Sequence, residues 1–186
     1  MNVLCLSGSR NPAGQTARAA EALLQGVREA GGSADIVFLP SLRIERCRQC
    51  DAGGWGSCRP EGRCVIDDDF TGLLEKMRAA DALVFATPVY FSDLSESLKA
   101  FLDRFRRVSL NADGRRGIEG KPAVGICVAG GGGGGAPMCA MLLDRTLATC
   151  KLNVVDMVLA RRQNLEMKLG ILPDIGRWLV GQTVAG

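Results

Sequence analysis

Four cysteines, Cys47, Cys50, Cys58 and Cys64, fall within eighteen residues in the spacing Cys-x2-Cys-x7-Cys-x5-Cys. Four thiolates this close in the chain can enclose a tetrahedral ion or hold a [4Fe–4S] cluster. Three readings of them stay open: a cluster, thiols that hold no metal, and zinc or a disulfide pair. A second chemical signal is Ser7-Gly-Ser-Arg-Asn-Pro-Ala-Gly-Gln-Thr16. It offers hydroxyls, the Arg10 guanidinium and glycines that bring backbone N–H groups near an anion, at the start of a helix whose dipole favours negative charge. It lacks the Gly-Lys-Ser/Thr of a Walker loop and the Gly-x-Gly-x-x-Gly of a dinucleotide fold, and a plain turn with an N-cap is the alternative. Two more loops complete the set. Ala86-Thr-Pro-Val-Tyr-Phe91 carries an X-Pro step that displays backbone amides and Tyr90; an aromatic pair packing on the helix below is the alternative, a better fit for Phe91 than for Tyr90. The six glycines from Gly130 to Gly135 let a flat ligand approach the main chain without side-chain clashes.

These loops need elements to bring them together. Asn2 to Ser7 is a short apolar run stopped by Gly8, and Gln15 to Glu29 places Ala19, Ala22, Leu23 and Val27 at helical spacing. Gly31-Gly32 closes that helix, and Ala34 to Leu39 is the next strand, ended by Pro40. The cysteine-rich stretch 46–64 shows no sustained period and reads as one long loop, a class that is usually functional. Asp67-Asp68-Asp69 offers acidic N-cap chemistry for a helix to about Ala79, and Ala82 to Ala86 is a third strand. A helix from about Leu94 to Arg106, an exposed loop over Asn111 to Gly120, a strand over Ala123 to Val128 and a helix over Pro137 to Cys150 follow. Val154 to Leu159 is a fifth strand, with a closing helix around Gln163 to Leu169. Five apolar strands alternating with helices predict an α/β fold, a doubly wound parallel sheet in three αβα layers, with the strand-to-helix loops on its carboxyl edge. Cys5, Cys127, Cys139 and Cys150 fall in strand or helix patterns and read as small buried hydrophobes. Met138, Met141, Met157 and Met167 read as core or dimer packing, and Asp103-Arg104-x-Arg106-Arg107 as a helix end with a salt bridge and solvated bases.

The 186 residues suit a single domain spanning 1–186, and 47% hydrophobic with 23% charged residues is globular composition. The net charge of +3 comes from bases spread along the chain, without the clustering that nucleic acid demands. No apolar stretch approaches the roughly 20 residues of a membrane span, and no basic leader precedes Asn2 to Leu6, so a cytoplasmic location is expected. The chain has no histidine, which excludes Ser-His-Asp hydrolysis, His-bound zinc catalysis and Cys-His chemistry.

Taken in chain order, SGSRNPAGQT, DDDF, ADALVFATPVYF, SESLKAFLDR and the glycine run after the fourth strand resemble the NADPH-dependent FMN reductase family of the flavodoxin-like fold, over most of Met1 to Lys151. The resemblance implies a sheet of order 2-1-3-4-5 with FMN at its carboxyl edge. It implies a phosphate held by Ser9, Arg10, Gln15 and Thr16, an isoalloxazine lying against Pro88, Val89, Tyr90 and Phe91, and Gly130 and Gly131 near the ring's far edge. Many relatives read Gly-Ser-Pro-Arg where this chain has Gly-Ser-Arg-Asn-Pro. Iron-sulfur flavoproteins of the same superfamily carry a compact four-cysteine motif at this place in the chain, with a shorter second gap than the one between Cys50 and Cys58. The functions implied are an oxidoreductase taking hydride from NAD(P)H onto FMN and reducing a quinone, free flavin or similar acceptor, or a carrier relaying electrons between ferredoxin and FMN through a cluster. A zinc-stabilised scaffold without enzymatic activity is the third reading. A homodimer or homotetramer is expected, with neither nucleic acid nor membrane as partner.

Overall fold

The computed structural model describes residues 1–182. Five parallel strands, β1 (Asn2–Ser7), β2 (Ser33–Phe38), β3 (Ala82–Pro88), β4 (Pro122–Ala129) and β5 (Asn153–Arg161), form one sheet in the order β2-β1-β3-β4-β5. Between and after them run α1 (Gln15–Glu29), α2 (Cys58–Glu61), α3 (Phe70–Ala79), α4 (Glu96–Val108), α5 (Ala112–Arg115), α6 (Ala136–Thr149) and α7 (Leu165–Gly181). Successive strand residues point to opposite faces, so Val3 and Cys5 enter one core while Leu4 and Leu6 enter the other. The first core packs against α1 and α7, and the second against α3, α4 and α6. Both faces being covered explains why the strands read as unbroken apolar runs. Cys5, Cys127, Cys139 and Cys150 lie fully buried in these cores. Burial pushes the Cys150 thiol up to about 12, which keeps it neutral.

Several expectations need correction. The closing helix does not stop near Leu169; it begins at Leu165 after a short 3-10 turn over Arg162–Asn164 and runs to Gly181. Gly170, Pro173 and Gly176 look like breakers in sequence, yet two of them let α7 lie almost backbone to backbone on α1. A Cβ on Gly26 would sit 2.0 Å from the Pro173 carbonyl oxygen, and one on Gly176 would sit 2.1 Å from that of Leu23. The Asn111 to Gly120 loop contains the short helix α5. Of the two expectations for the methionines, core or dimer packing, the core one does not hold for Met138, Met141 and Met167, which are about half exposed, whereas Met157 packs against the α3/α4/α6 core. Phe91 does not pack on the helix below but projects wholly into solvent. Among the described residues no helix is long and apolar enough to cross a membrane.

Candidate functional site

The loops after β1, β3 and β4 meet at the carboxyl edge of the sheet, and backbone contacts hold them there. The Gly8 N–H donates to the Ala86 carbonyl at 2.8 Å, and a Cβ on Gly8 would strike the Ser95 hydroxyl at 2.1 Å. The Val89 N–H donates to the Val128 carbonyl at 2.9 Å, tying the Pro88 turn to the end of β4. A Cβ on Gly130 would lie 3.8 Å from Gln15 Oε1, and one on Gly135 would collide with Ser92. Ser9, Gln15 and Thr16 on the first loop, Pro88 and Val89 on the second, and Gly130 on the third therefore border one edge. A Cβ added at Gly131, Gly132 or Gly134 would meet nothing within 4 Å, so the main chain there has open space above it.

Three helices, α1, α4 and α6, follow these three loops, and their first turns differ. The Ser95 hydroxyl accepts the Leu98 N–H of α4, and Glu96 already places a carboxylate in that turn. The start of α1 has neither: Gly14 stands at its N-cap, no side chain caps it, and no acidic residue lies in its first turn. Its free N–H groups and the positive end of its dipole suit it to an anion. The start of α6 is likewise uncapped and free of acids, but it has a proline in its first turn and its Gly135 is packed against Ser92. Ser9 and Thr16 are buried beside the start of α1, and the Ser9 hydroxyl donates to the Asn11 carbonyl at 3.0 Å. Arg10 is drawn off to an exposed ion pair with Glu96. The backbone N–H of Glu96 itself, then Arg10, hold the Glu96 carboxyl below its ordinary range.

Tyr90 to Asp93 forms a two-residue reverse turn closed by both backbone hydrogen bonds, at 3.0 and 2.9 Å. Its central residues, Phe91 and Ser92, sit at φ of 48° and 69°. That region is strained for a bulky side chain such as Phe. Tyr90 is about half exposed beside it.

Residues 46–64 form a separate lobe whose ends are clamped to the start of α3. The Arg43 and Glu45 N–H groups donate to the Asp69 and Asp68 carboxylates at 2.7 and 2.8 Å. Asp68 also takes a two-pronged bond from Arg104 of α4, at 2.5 and 2.9 Å, with the two side chains only 0% and 1% exposed. Burial pushes the Asp68 carboxyl up, but the bonds from Arg104 and the Glu45 and Phe70 N–H groups outweigh it, and its pKa lies below the ordinary value. The acidic triplet is thus more than a helix cap, and Arg104 is no solvated base. Within the lobe, the Asp51 carboxylate accepts the Trp55 and Gly56 N–H groups at 3.0 and 2.9 Å. Cys47, Cys50, Cys58 and Cys64 all line one recess. Among the described residues no three Cys, Asp or Glu side chains converge to metal-ligand geometry. The donor types are nonetheless the right ones for a thiolate-held ion or cluster, because four cysteines line one recess, although the Cys58 thiol now bonds the Trp55 carbonyl. Sequence reasoning missed the Asp68–Arg104 pair and Trp55; an acid in DDDF and a base in FLDR were the only available signals.

The fold and its open edge define a flavodoxin-like αβα protein with a cysteine lobe inserted after β2. The profile of the NADPH-dependent FMN reductase family matches residues 1–163, and the chain belongs to that family. Membership supports FMN binding and an oxidoreductase enzyme. The chain is 33% identical over 131 residues to an iron-sulfur flavoprotein of Methanocaldococcus jannaschii, covering 70% of this chain and 65%, just under two thirds, of that protein. It is 32% identical over 156 residues to an iron-sulfur flavoprotein of Archaeoglobus fulgidus, covering 84% of this chain and 74% of the relative. In fold it is similar to an NAD(P)H:quinone oxidoreductase from Methanothermobacter marburgensis, with a TM-score of 0.68, 24% identity and 96% of each chain covered.

Proposed function

We propose that this protein is an FMN-dependent oxidoreductase that accepts hydride from NAD(P)H and reduces a quinone, free flavin or similar acceptor. The observation that carries this reading is the meeting of the uncapped start of α1, the Pro88 turn and the glycine run along one open edge. Ser9, Gln15 and Thr16 with the first N–H groups of α1 would hold the phosphate, and Arg10 would join them on release from Glu96. Pro88, Val89, Tyr90 and Phe91 would border one side of the ring, with Gly130 and Gly131 at its far edge. FMN supplies the hydride and electron chemistry when bound, so a chain without histidine needs no acid or base of its own. A single domain over 1–186, assembly as a homodimer or homotetramer and a cytoplasmic location belong to the same reading.

A second reading is favoured by the recess that the four cysteines share and by the relatives' names: an iron-sulfur flavoprotein relaying electrons between ferredoxin and FMN. Cys47, Cys50, Cys58 and Cys64 would then be the ligands. One anaerobic experiment tests both. NADPH or NADH mixed with FMN-loaded protein should bleach the flavin, and added quinone should restore it. Flavin reduced only by a ferredoxin-type donor would favour the relay, and flavin reduced by neither would end the oxidoreductase proposal.

A further inference from the structure

The recess lined by the four cysteines is also lined by four arginines, Arg48, Arg63, Arg104 and Arg107, and no Asp or Glu lines it among the described residues. Three of these bases are matched by a carboxylate set back from the recess: Arg48 by Glu45 at 2.5 Å, Arg63 by Glu61 at 2.5 Å, and Arg104 by the buried Asp68. Arg107 differs. Its guanidinium lies 4.2 Å from the centre of the Trp55 ring, and among the described residues it has no ion pair. Arg59 lies over the same indole at 5.4 Å, also without a carboxylate. Trp55 is itself fixed by Asp51 through its backbone N–H. Arg104 is already committed to its neighbours. Its terminal nitrogens bond Asp68 and the Glu45 carbonyl, the guanidinium interacts with the Cys64 thiol, and its buried Nε has no hydrogen-bond partner.

We infer that Arg107, held over Trp55, is a positioning residue for the four-thiol site: its positive charge stabilises the net negative centre that four thiolates make of any metal they hold. The inference rests on the reading of Cys47, Cys50, Cys58 and Cys64 as ligands. The charge balance gives it direction. A divalent ion that binds four thiols releases four protons and leaves a centre of net charge −2, and a [4Fe–4S]²⁺ core on four thiolates carries the same −2. The site thus becomes two charges more negative on binding. Cations at its wall favour the bound state, most of all one whose charge no carboxylate cancels. Arg107 meets that description. A stacked guanidinium is also fixed in place by the ring and loses less freedom in facing the recess than a free side chain would.

Cobalt(II) is a suitable probe, because its thiolate complexes absorb visibly and it can be added alone. It would be titrated anaerobically at one pH into reduced, metal-free full-length protein, in wild type and in Arg107→Gln, Arg107→Lys and Arg106→Gln. Arg106 is the neighbouring base, and it does not line the recess. Wild type should show thiolate-to-cobalt absorption. Arg107→Gln should bind cobalt about fivefold or more weakly, Arg107→Lys should recover most of that loss, and Arg106→Gln should stay within about twofold of wild type. Added salt should narrow the gap between wild type and Arg107→Gln, a readout that lost packing alone would not move. Equal losses in the Gln variants of Arg106 and Arg107, or no rescue by lysine, would overturn the role of Arg107 and leave the four ligands standing. Absence of thiolate absorption in wild type would overturn the four-cysteine reading, and the positioning role with it.

Discussion

The carboxyl edge of the sheet and the cysteine lobe are both loop-built, yet they are held by different forces. At the edge, each loop is short and hangs from a strand end. Position follows from strand register and backbone contacts, such as Gly8 on Ala86 and Val89 on Val128. The lobe is a long excursion between β2 and α3 with only the single turn of α2 inside it. Side-chain charge does much of the fixing, with Asp68 and Asp69 on N–H groups at its entry, Asp51 on N–H groups inside it and Arg104 from α4. Alongside these, Cys58, Trp55 and Cys64 pack against the α3/α4/α6 core. A site made by backbone geometry tolerates many side-chain changes, whereas one made by a few buried charges fails when one of them is lost.

The largest expected effect is therefore in the lobe. Arg104→Leu leaves Asp68 buried without its partner, and urea unfolding should show a loss of about 3–5 kcal/mol. Because the folded pKa of Asp68 is depressed, the pair's contribution is complete above its unfolded value near pH 4 and is lost as pH falls through the lower folded value. The acid side of the stability profile should accordingly flatten in Arg104→Leu. A comparable penalty from an edge substitution such as Ser9→Ala would erase the distinction between the regions.

Cys50→Ser separates the regions by composition. If the lobe holds a cluster, anaerobically purified variant protein should lose its iron and its broad visible shoulder while keeping FMN, since the two segments are tethered independently. Loss of FMN together with iron would show that they are not independent. At the edge, Gly131→Val should lower flavin content without lowering the melting temperature, because a side chain there meets no protein atom within 4 Å and projects into the open space. Unchanged flavin content would make the glycine run a linker. The smallest effect belongs to Glu96→Gln, which removes an exposed ion pair with Arg10. Stability should change by no more than about 0.5 kcal/mol, with FMN bound as tightly or more tightly once Arg10 is free.

Much of the edge was legible in the sequence, because strands and turn residues are written in local patterns. The runs at Asn2 to Ser7 and Ala82 to Ala86, the Gly8 stop and the Pro88 turn need no distant partner to be read. What was not legible depended on pairs far apart in the chain. Asp68 and Arg104 are separated by 36 residues, and neither side chain announces burial until the other is in place. Gly26 and Gly176 look like weak points in two helices until those helices are packed together. Packing on the helix below is the alternative reading of Phe91, and its aromatic character alone does not exclude it. The reverse turn that Tyr90 and Asp93 close instead holds it outward at positive φ.

The central claim is that the uncapped start of α1 receives the terminal phosphate of FMN, and calorimetric titration of flavin-free protein with FMN and with riboflavin tests it most directly. FMN should bind at least about a hundredfold more tightly, from two or more charge-assisted bonds of about 1–3 kcal/mol each. The double variant Ser9→Ala/Thr16→Ala should lose a few kcal/mol for FMN and almost nothing for riboflavin. Equal affinity for the two ligands in the wild-type protein would contradict the account.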